Sequence, residues 1–289
     1  MNLKTMIPWQ AKILAKILLF RIPFGYPLWK RLGLFEHGHM EQPDYAYEVF
    51  RKHYERSRHV IQRKEYVTLE LGPGDTLFSA VIARGFGAAS SYLVDTGPYA
   101  TLVAGPYEKL AKLLIDKGYK VPVPEHGQST EHYLESIGAK YLTHGLDSLK
   151  SIPAQSVDFI WSQAVLEHVK YKDFLSTFQE LRRIIRDDGI CSHRIDLKDH
   201  LGGSLNNLRF SRQIWESRIM ANSGFYTNRI RFSEMLRMFE QARFAVEVVG
   251  IERWDELPIP RRNLPEEFRS FDESDLRVSG FDVLLSPRQ

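Results

Sequence analysis

The sequence predicts an α/β fold: a seven-stranded, mostly parallel sheet with helices on both faces, preceded by a helical N-terminal extension. Three observations predict it. Apolar, β-branched runs alternate with helical patterns from Tyr66 to Leu285. The first such run breaks at the glycine turn Gly72-Pro73-Gly74-Asp75. Helix-length stretches separate successive runs over the first five strands, as parallel neighbours require.

Taken in order, Asp44 to Arg63 has a helical pattern, with Tyr45, Val49, Tyr54 and Val60 among charged residues. Tyr66 to Leu71 reads as a strand, the turn follows, and Thr76 to Ala83 reads as a helix. Ser90 to Asp95 is the second strand and Tyr107 to Lys117 the next helix. After an irregular stretch, 118–128, with two prolines, a further helix precedes the strand Lys140 to His144. Ser156 to Ser162 is strand four, Ala164 to Arg186 a long helix, and Asp187-Asp188-Gly189 the turn into strand five, Ile190 to Leu197. A helix over Phe232 to Ala242 and strands over Phe244 to Trp254 and Val278 to Leu285 complete the pattern. Residues 36–289 read as one catalytic domain with inserts at 198–230 and 255–277, the charged stretch 252–277 being a solvated loop.

The 289 residues are 43% hydrophobic and 26% charged, with 19 Gly and 14 Pro scattered along the chain, which excludes a disordered or fibrous protein. The lone cysteine, Cys191, forms no internal disulfide and builds no cysteine-rich zinc site, so the composition fits a reducing cytoplasm. Residues 1–35 hold six basic side chains and no acid, whereas 36–289 carry a net −3. Charges break the apolar runs of this leader well short of the ~20 residues that span a bilayer. No small-residue cleavage site marks a signal peptide. We expect a basic amphipathic segment that packs on the domain as a lid or joins two copies into a homodimer. Its second reading is peripheral contact with the inner membrane face. The slightly acidic remainder argues against a nucleic-acid partner.

The most informative stretch is Leu69-Glu70-Leu71-Gly72-Pro73-Gly74-Asp75-Thr76, where a strand hands over to a helix. A dinucleotide site wants a third glycine three residues after Gly74, and that position is Leu77. What remains is an acid, Glu70, two residues before a tight Gly-x-Gly turn. This suits a nucleoside ligand without phosphate that carries a cation and an amino acid moiety, as S-adenosylmethionine does. Asp95 ends the next strand 21 residues after Gly74, where a carboxylate accepts hydrogen bonds from both ribose hydroxyls.

Four stretches, ELGPGD (70–75), YLVD (92–95), SVDFIWSQAVLEHV (156–169) and ELRRIIRDDGI (180–190), resemble the class I S-adenosylmethionine-dependent methyltransferases, and the likeness runs from about Tyr66 to Leu285. The resemblance implies a Rossmann-like fold and S-adenosylmethionine as cofactor. By position it implies Glu70, Gly72 and Gly74 on the methionine and ribose side, Asp95 at the ribose and Asp147 at the adenine amino group. Ser162 and Gln163 would lie beside the methyl-donor pocket. Two departures stand out: Thr76 replaces a frequent glycine of the first motif, and Asp187-Asp188-Gly189 replaces a proline-glycine turn.

Methyl transfer to an alcohol needs a base near the strand ends. The cluster running off strand five, His193 to His200, supplies His200 as the expected base with Asp196, and His168 as a further candidate. His193, Asp196 and His200 also form a weak metal set, and we expect no metal. The insert after strand five offers Arg209, Trp215, Tyr226, Asn228 and Arg229, a mixture of aromatic, amide and guanidinium groups suited to a hydroxylated acceptor. The hydrophobic basic leader and the DLKDH stretch (196–200) are similar to methyltransferases of cell-surface polysaccharide or glycolipid assembly, which implies O-methylation of a sugar. Another small metabolite or lipid, or a catalytically silent nucleoside-binding scaffold, are the rival readings.

Overall fold

A computed structural model describes residues 39–288 together with Gln10 and Ile13. The rest of the expected N-terminal extension lies outside the described residues. The chain forms one seven-stranded sheet in the order β3-β2-β1-β4-β5-β7-β6. Its strands are β1 (Tyr66–Leu71), β2 (Ala88–Val94), β3 (Ala139–Leu142), β4 (Val157–Gln163), β5 (Ile185–Asp196), β6 (Phe244–Arg253) and β7 (Val278–Pro287). Strands β1 to β5 pair in parallel, and β7 runs antiparallel between β5 and β6. From β1 the chain winds outward to β2 and β3, and from β4 it winds the other way. The carboxyl ends of β1 and β4 therefore flank a switch point, the place where open α/β sheets bind ligands.

Helices fill both faces. On one lie α1 (Pro43–Ser57), α2 (Phe78–Gly85) and α3 (Ala104–Asp116). Proline in the first turn of α1 gives up no helical hydrogen bond. Its Ala46, Val49, Phe50 and His53 recur at helical spacing and face the sheet. Phe50 meets Trp161 edge-on at 5.6 Å between ring centroids. The short helices α4 (Thr130–Ser136) and α5 (Leu146–Ser151) flank β3. On the opposite face α6 (Tyr171–Ile184) and α7 (Phe232–Gln241) bury Phe174, Phe178, Leu181, Met235 and Phe239 against Ile160, Ile195, Val283 and Leu285.

Three expectations are corrected. The helix expected from Ala164 to Arg186 breaks into a 3-10 turn, Leu166–His168, and α6. Ala164 has φ +52° and its N–H donates to the Arg194 carbonyl, so the chain stays tied to β5 before turning. The turn expected at Asp187-Asp188-Gly189 lies inside β5 as a bulge: Ile185 pairs with Val157 and Ile190 with Phe159. The stretch 255–277 is no solvated loop. Ile259, Leu264, Phe268 and Leu276 pack on Leu205 and Leu208 of the first insert.

The sheet also buries polar groups. His53 is buried, with Nδ1 at 2.8 Å from Ser192 Oγ and Nε2 at 3.0 Å from Gln163 Oε1. An amide oxygen only accepts, so Nε2 carries the proton and Nδ1 accepts from the hydroxyl. Burial holds the His53 pKa down at about 4. His193, on the α6/α7 face, is fully buried beside Phe178 and pushed down to about 3, again by burial. Both imidazoles are neutral in the folded protein and ionise near pH 6.5 once unfolded. Their stabilising contribution is complete above that value and lost as pH falls toward 4. A His53→Gln protein is accordingly expected to gain thermal stability relative to the parent between pH 6.5 and 4, read as the difference between their unfolding midpoints across that range.

Candidate active site

At the carboxyl edge the β1 turn is held from several sides. The Gly72 N–H donates to the Val94 carbonyl at 2.8 Å. The Gly74 N–H reaches Asp95 Oδ2 at 3.2 Å, while Asp95 Oδ1 accepts from the Thr96 N–H at 2.7 Å. The Asp95 carbonyl receives the Gly145 N–H at 2.8 Å, which brings the loop after β3 to the same spot. Asp75 and Thr76 tie the far side of the turn, the former accepting from the Thr101 N–H and the latter donating its hydroxyl to the Met40 carbonyl.

Both turn glycines need left-handed backbone, with φ +66° at Gly72 and +69° at Gly74. They differ in surroundings. A Cβ on Gly72 would lie 2.6 Å from Val165, which follows β4, whereas a Cβ on Gly74 would meet nothing within 4 Å. Gly72 thus lets the β1 and β4 edges approach, and Gly74 leaves a bare backbone face open to a ligand. Asp95 is half-buried, and its carboxylate is held by the Gly74 and Thr96 N–H groups. Open backbone beside a fixed carboxylate fits the ribose of a nucleoside.

Glu70 sits beneath this turn and does not face the open edge. It is buried, accepts the Ser79 hydroxyl of α2, and its pKa is raised to about 8 by burial, the Ser79 bond opposing and Asp95 adding to the shift. At neutral pH it is a neutral acid that links β1 to α2. Asp147 follows β3 near the same edge, its side chain 80% exposed and paired with Lys150 at 2.9 Å. Ser162 is corrected as well: strand alternation points it into the α6/α7 core, where Oγ lies 2.8 Å from His193 Nδ1. Gln163 stays at the edge, held by His53.

Two of the expected proton acceptors come together. The rings of His168 and His200, both exposed, lie 4.9 Å apart between centroids. His168 Nδ1 is 3.0 Å from the Tyr226 carbonyl; since that oxygen only accepts, Nδ1 carries a proton. Asp196 caps the turn after β5, Oδ1 taking the Lys198 N–H at 2.9 Å. With His193 buried on the far side of β5, the metal set His193, Asp196 and His200 does not assemble. Among the described residues no group of three or more such side chains is placed to hold a metal ion.

The insert residues expected to meet the acceptor are mostly spent on the insert itself. Trp215 is fully buried and donates Nε1–H to the Thr227 carbonyl at 2.7 Å. The Tyr226 hydroxyl bonds Glu216 at 2.9 Å. Asn228 Nδ2 donates to the Leu166 and Val169 carbonyls, fixing the His168 turn, and Arg229 donates to the Phe210 carbonyl between the Trp215 and Phe268 rings. Arg209, half-buried, donates to Asn206. Ile13 of the leader is buried in the same cluster as Trp215, Met220 and Phe225.

Glu167 was missed as a site candidate. It is 2% exposed, Oε2 has no hydrogen-bond partner, and burial raises its pKa to about 8, with nearby Asp196 adding to the shift. Its place in the LEHV stretch was visible; its burial was not, because that depends on how β5 ends beside it.

Fold and edge together give an α/β sheet with open backbone beside a fixed carboxylate at its β1–β2 turns and two histidines across the edge, after β4 and β5. Residues 69–192 match the protein family described as methyltransferase domain. The protein is an enzyme, a methyltransferase that uses S-adenosylmethionine as its methyl donor. No curated protein sequence matches the chain. Three solved structures are similar. YcgJ from Bacillus subtilis shares 14% identity over 80% of this chain and 96% of its own, with a TM-score of 0.43. An S-adenosylmethionine-dependent methyltransferase from Methanosarcina mazei shares 13% over 80% and 97%, with a TM-score of 0.44. Phosphoethanolamine N-methyltransferase 2 from Haemonchus contortus, solved with S-adenosyl-L-methionine, shares 13% over 84% of this chain and 53% of its own, with a TM-score of 0.47. Among the described residues no helix is long and apolar enough to cross a membrane.

Asp95→Ala should weaken S-adenosylmethionine binding at least tenfold in a calorimetric titration while leaving the circular dichroism spectrum intact. Gly72→Ala, which sets a side chain against Val165 in left-handed backbone, should cost about 1–2 kcal/mol in denaturant unfolding and lower donor affinity with it.

Proposed function

We propose that the enzyme transfers the methyl group to a hydroxyl oxygen of a sugar or glycolipid, with the His168–His200 pair taking the hydroxyl proton. The observation that supports this reading is the meeting of two imidazoles, His168 and His200, 4.9 Å apart between ring centroids at the edge that carries the Gly72–Gly74 turn. His168 lies three residues after Val165, which packs on Gly72, so the base and the donor turn share one rigid loop. His200, in ring contact with His168, is placed to receive or hold the same proton.

S-adenosylmethionine supplies an electrophilic methyl on a sulfonium when bound. The chain's own residues do the rest: Asp95 and the Gly74 backbone hold the nucleoside, Glu70 keeps the turn fixed from below, and His168 removes the proton that would otherwise leave a poor nucleophile. Arg209 is the one insert residue of the expected five that is less than nine-tenths buried, which supports an acceptor contact there.

For residues 1–35 we favour packing on the domain, supported by the burial of Ile13 beside Trp215 and Met220. Contact with an anionic membrane surface is the second reading, favoured by six basic and no acidic side chains.

His168→Ala and His200→Ala should each lower kcat by about 10²-fold on a glycoside acceptor and remove the acid limb of the pH–rate profile, with S-adenosylmethionine affinity unchanged. Full activity in both variants would reject the base.

A further inference from the structure

Away from the donor turn, a cavity of about 470 Å³ lies between the first turns of α7, the end of β6 and the chain at 270–275. Arg253 closes β6, which runs parallel to β1, β4 and β5, so the cavity opens on the same edge as the donor site. Arg237 and Arg253 line it, are exposed, and make no ion pair among the described residues. Phe232 and Phe271, both half-buried, give it aromatic walls, and Ser233, Ser270 and Ser274 add hydroxyls.

Asp275 is the unusual member. It is 9% exposed, Oδ1 accepts the Ser233 N–H at 2.8 Å, and Oδ2 has no hydrogen-bond partner. Asp275 also lines the cavity, where an unpartnered acceptor oxygen suits an N–H or O–H donor. Behind it the fully buried Arg231 attracts the Asp275 charge and donates to the 275, 276 and 278 carbonyls, so the two surface guanidiniums are not neutralised by Asp275. The exposed Asp272 stands at the rim.

We propose that this cavity binds an anionic sugar residue, Arg237 and Arg253 clamping its carboxylate or phosphate, Asp275 Oδ2 accepting a ring hydroxyl, and Phe232 and Phe271 offering apolar faces to the ring. Paired guanidiniums suit a planar or tetrahedral oxyanion, and an acceptor oxygen beside aromatic walls suits a polyol rather than a bare ion. The inference deepens the reading of the acceptor as a glycan and rests on it: the cavity would hold an acidic sugar next to the one that is methylated.

The test is a calorimetric titration of the full-length protein with four probes: trigalacturonate, glucose 1-phosphate, the neutral maltotriose and inorganic phosphate. Sub-millimolar binding of trigalacturonate or glucose 1-phosphate, at least tenfold tighter than of either control, supports the site. Which of the two binds tells an acidic polysaccharide from a phosphorylated saccharide. The Arg237→Ala/Arg253→Ala protein should lose at least tenfold of that affinity, and Asp275→Asn a smaller part. Both arginines are on the surface, so the variant is expected to fold, and its unfolding midpoint and S-adenosylmethionine affinity serve as checks. Equal binding of inorganic phosphate or maltotriose, absence of binding by both acidic probes, or undiminished binding by the double variant overturns the proposal. Acidic-sugar binding by a protein that fails to bind S-adenosylmethionine would leave the cavity standing and remove the methyl-transfer reading.

Discussion

The bond between the Gly74 N–H and the Asp95 carboxylate is the contact on which the carboxyl edge of the sheet depends. It joins the turn after β1 to the end of β2, and the Asp95 carbonyl then takes the Gly145 N–H from the loop after β3. Three consecutive connections are locked to one residue. Across the switch point, Val165 presses on Gly72 with no room for a side chain, so the loop after β4 takes its position from the same turn. A site built on strand ends needs this rigidity, because a misplacement of about 1 Å costs orders of magnitude in rate.

Around that edge the sheet buries several polar side chains. His53, Ser192 and Gln163 form one bonded set and Ser162 with His193 another, on opposite faces of neighbouring strands. Glu70 and Glu167 are buried acids with raised pKa values on either side of the switch point. For such acids the folded state favours the protonated form, so their contribution is complete below the ordinary carboxyl range and declines as pH rises toward 8. The imidazoles act in the opposite sense on acidification. The two groups oppose each other between pH 4.5 and 6.5, which flattens the response of the fold across that interval.

Much of this was legible in the sequence, and the exceptions have physical causes. Tyr66–Leu71 matches its predicted limits because Gly72 terminates it, and a glycine in left-handed backbone is a local signal. The pair Glu70 and Asp95 could be placed on consecutive strands from spacing, yet which face Glu70 takes depends on the packing of α2. The helix expected to start at Ala164 failed because a single backbone bond to Arg194 and two carbonyls held by Asn228 outweigh helical propensity. Trp215, Asn228 and Arg229 were read as ligand-facing because aromatic, amide and guanidinium groups also serve that purpose. In the folded chain those same groups hold backbone carbonyls of an irregular insert that has no ladder of its own.

The two inserts, which leave the sheet at different strands, share one apolar cluster in which Leu205 and Leu208 meet Ile259, Leu264, Phe268 and Leu276. Neither can be exchanged alone. A chimera that borrowed only the segment between β5 and α7 from another protein would strand the second insert's leucine and phenylalanine side chains in water. Any replacement of these segments on this scaffold must therefore be made in both together.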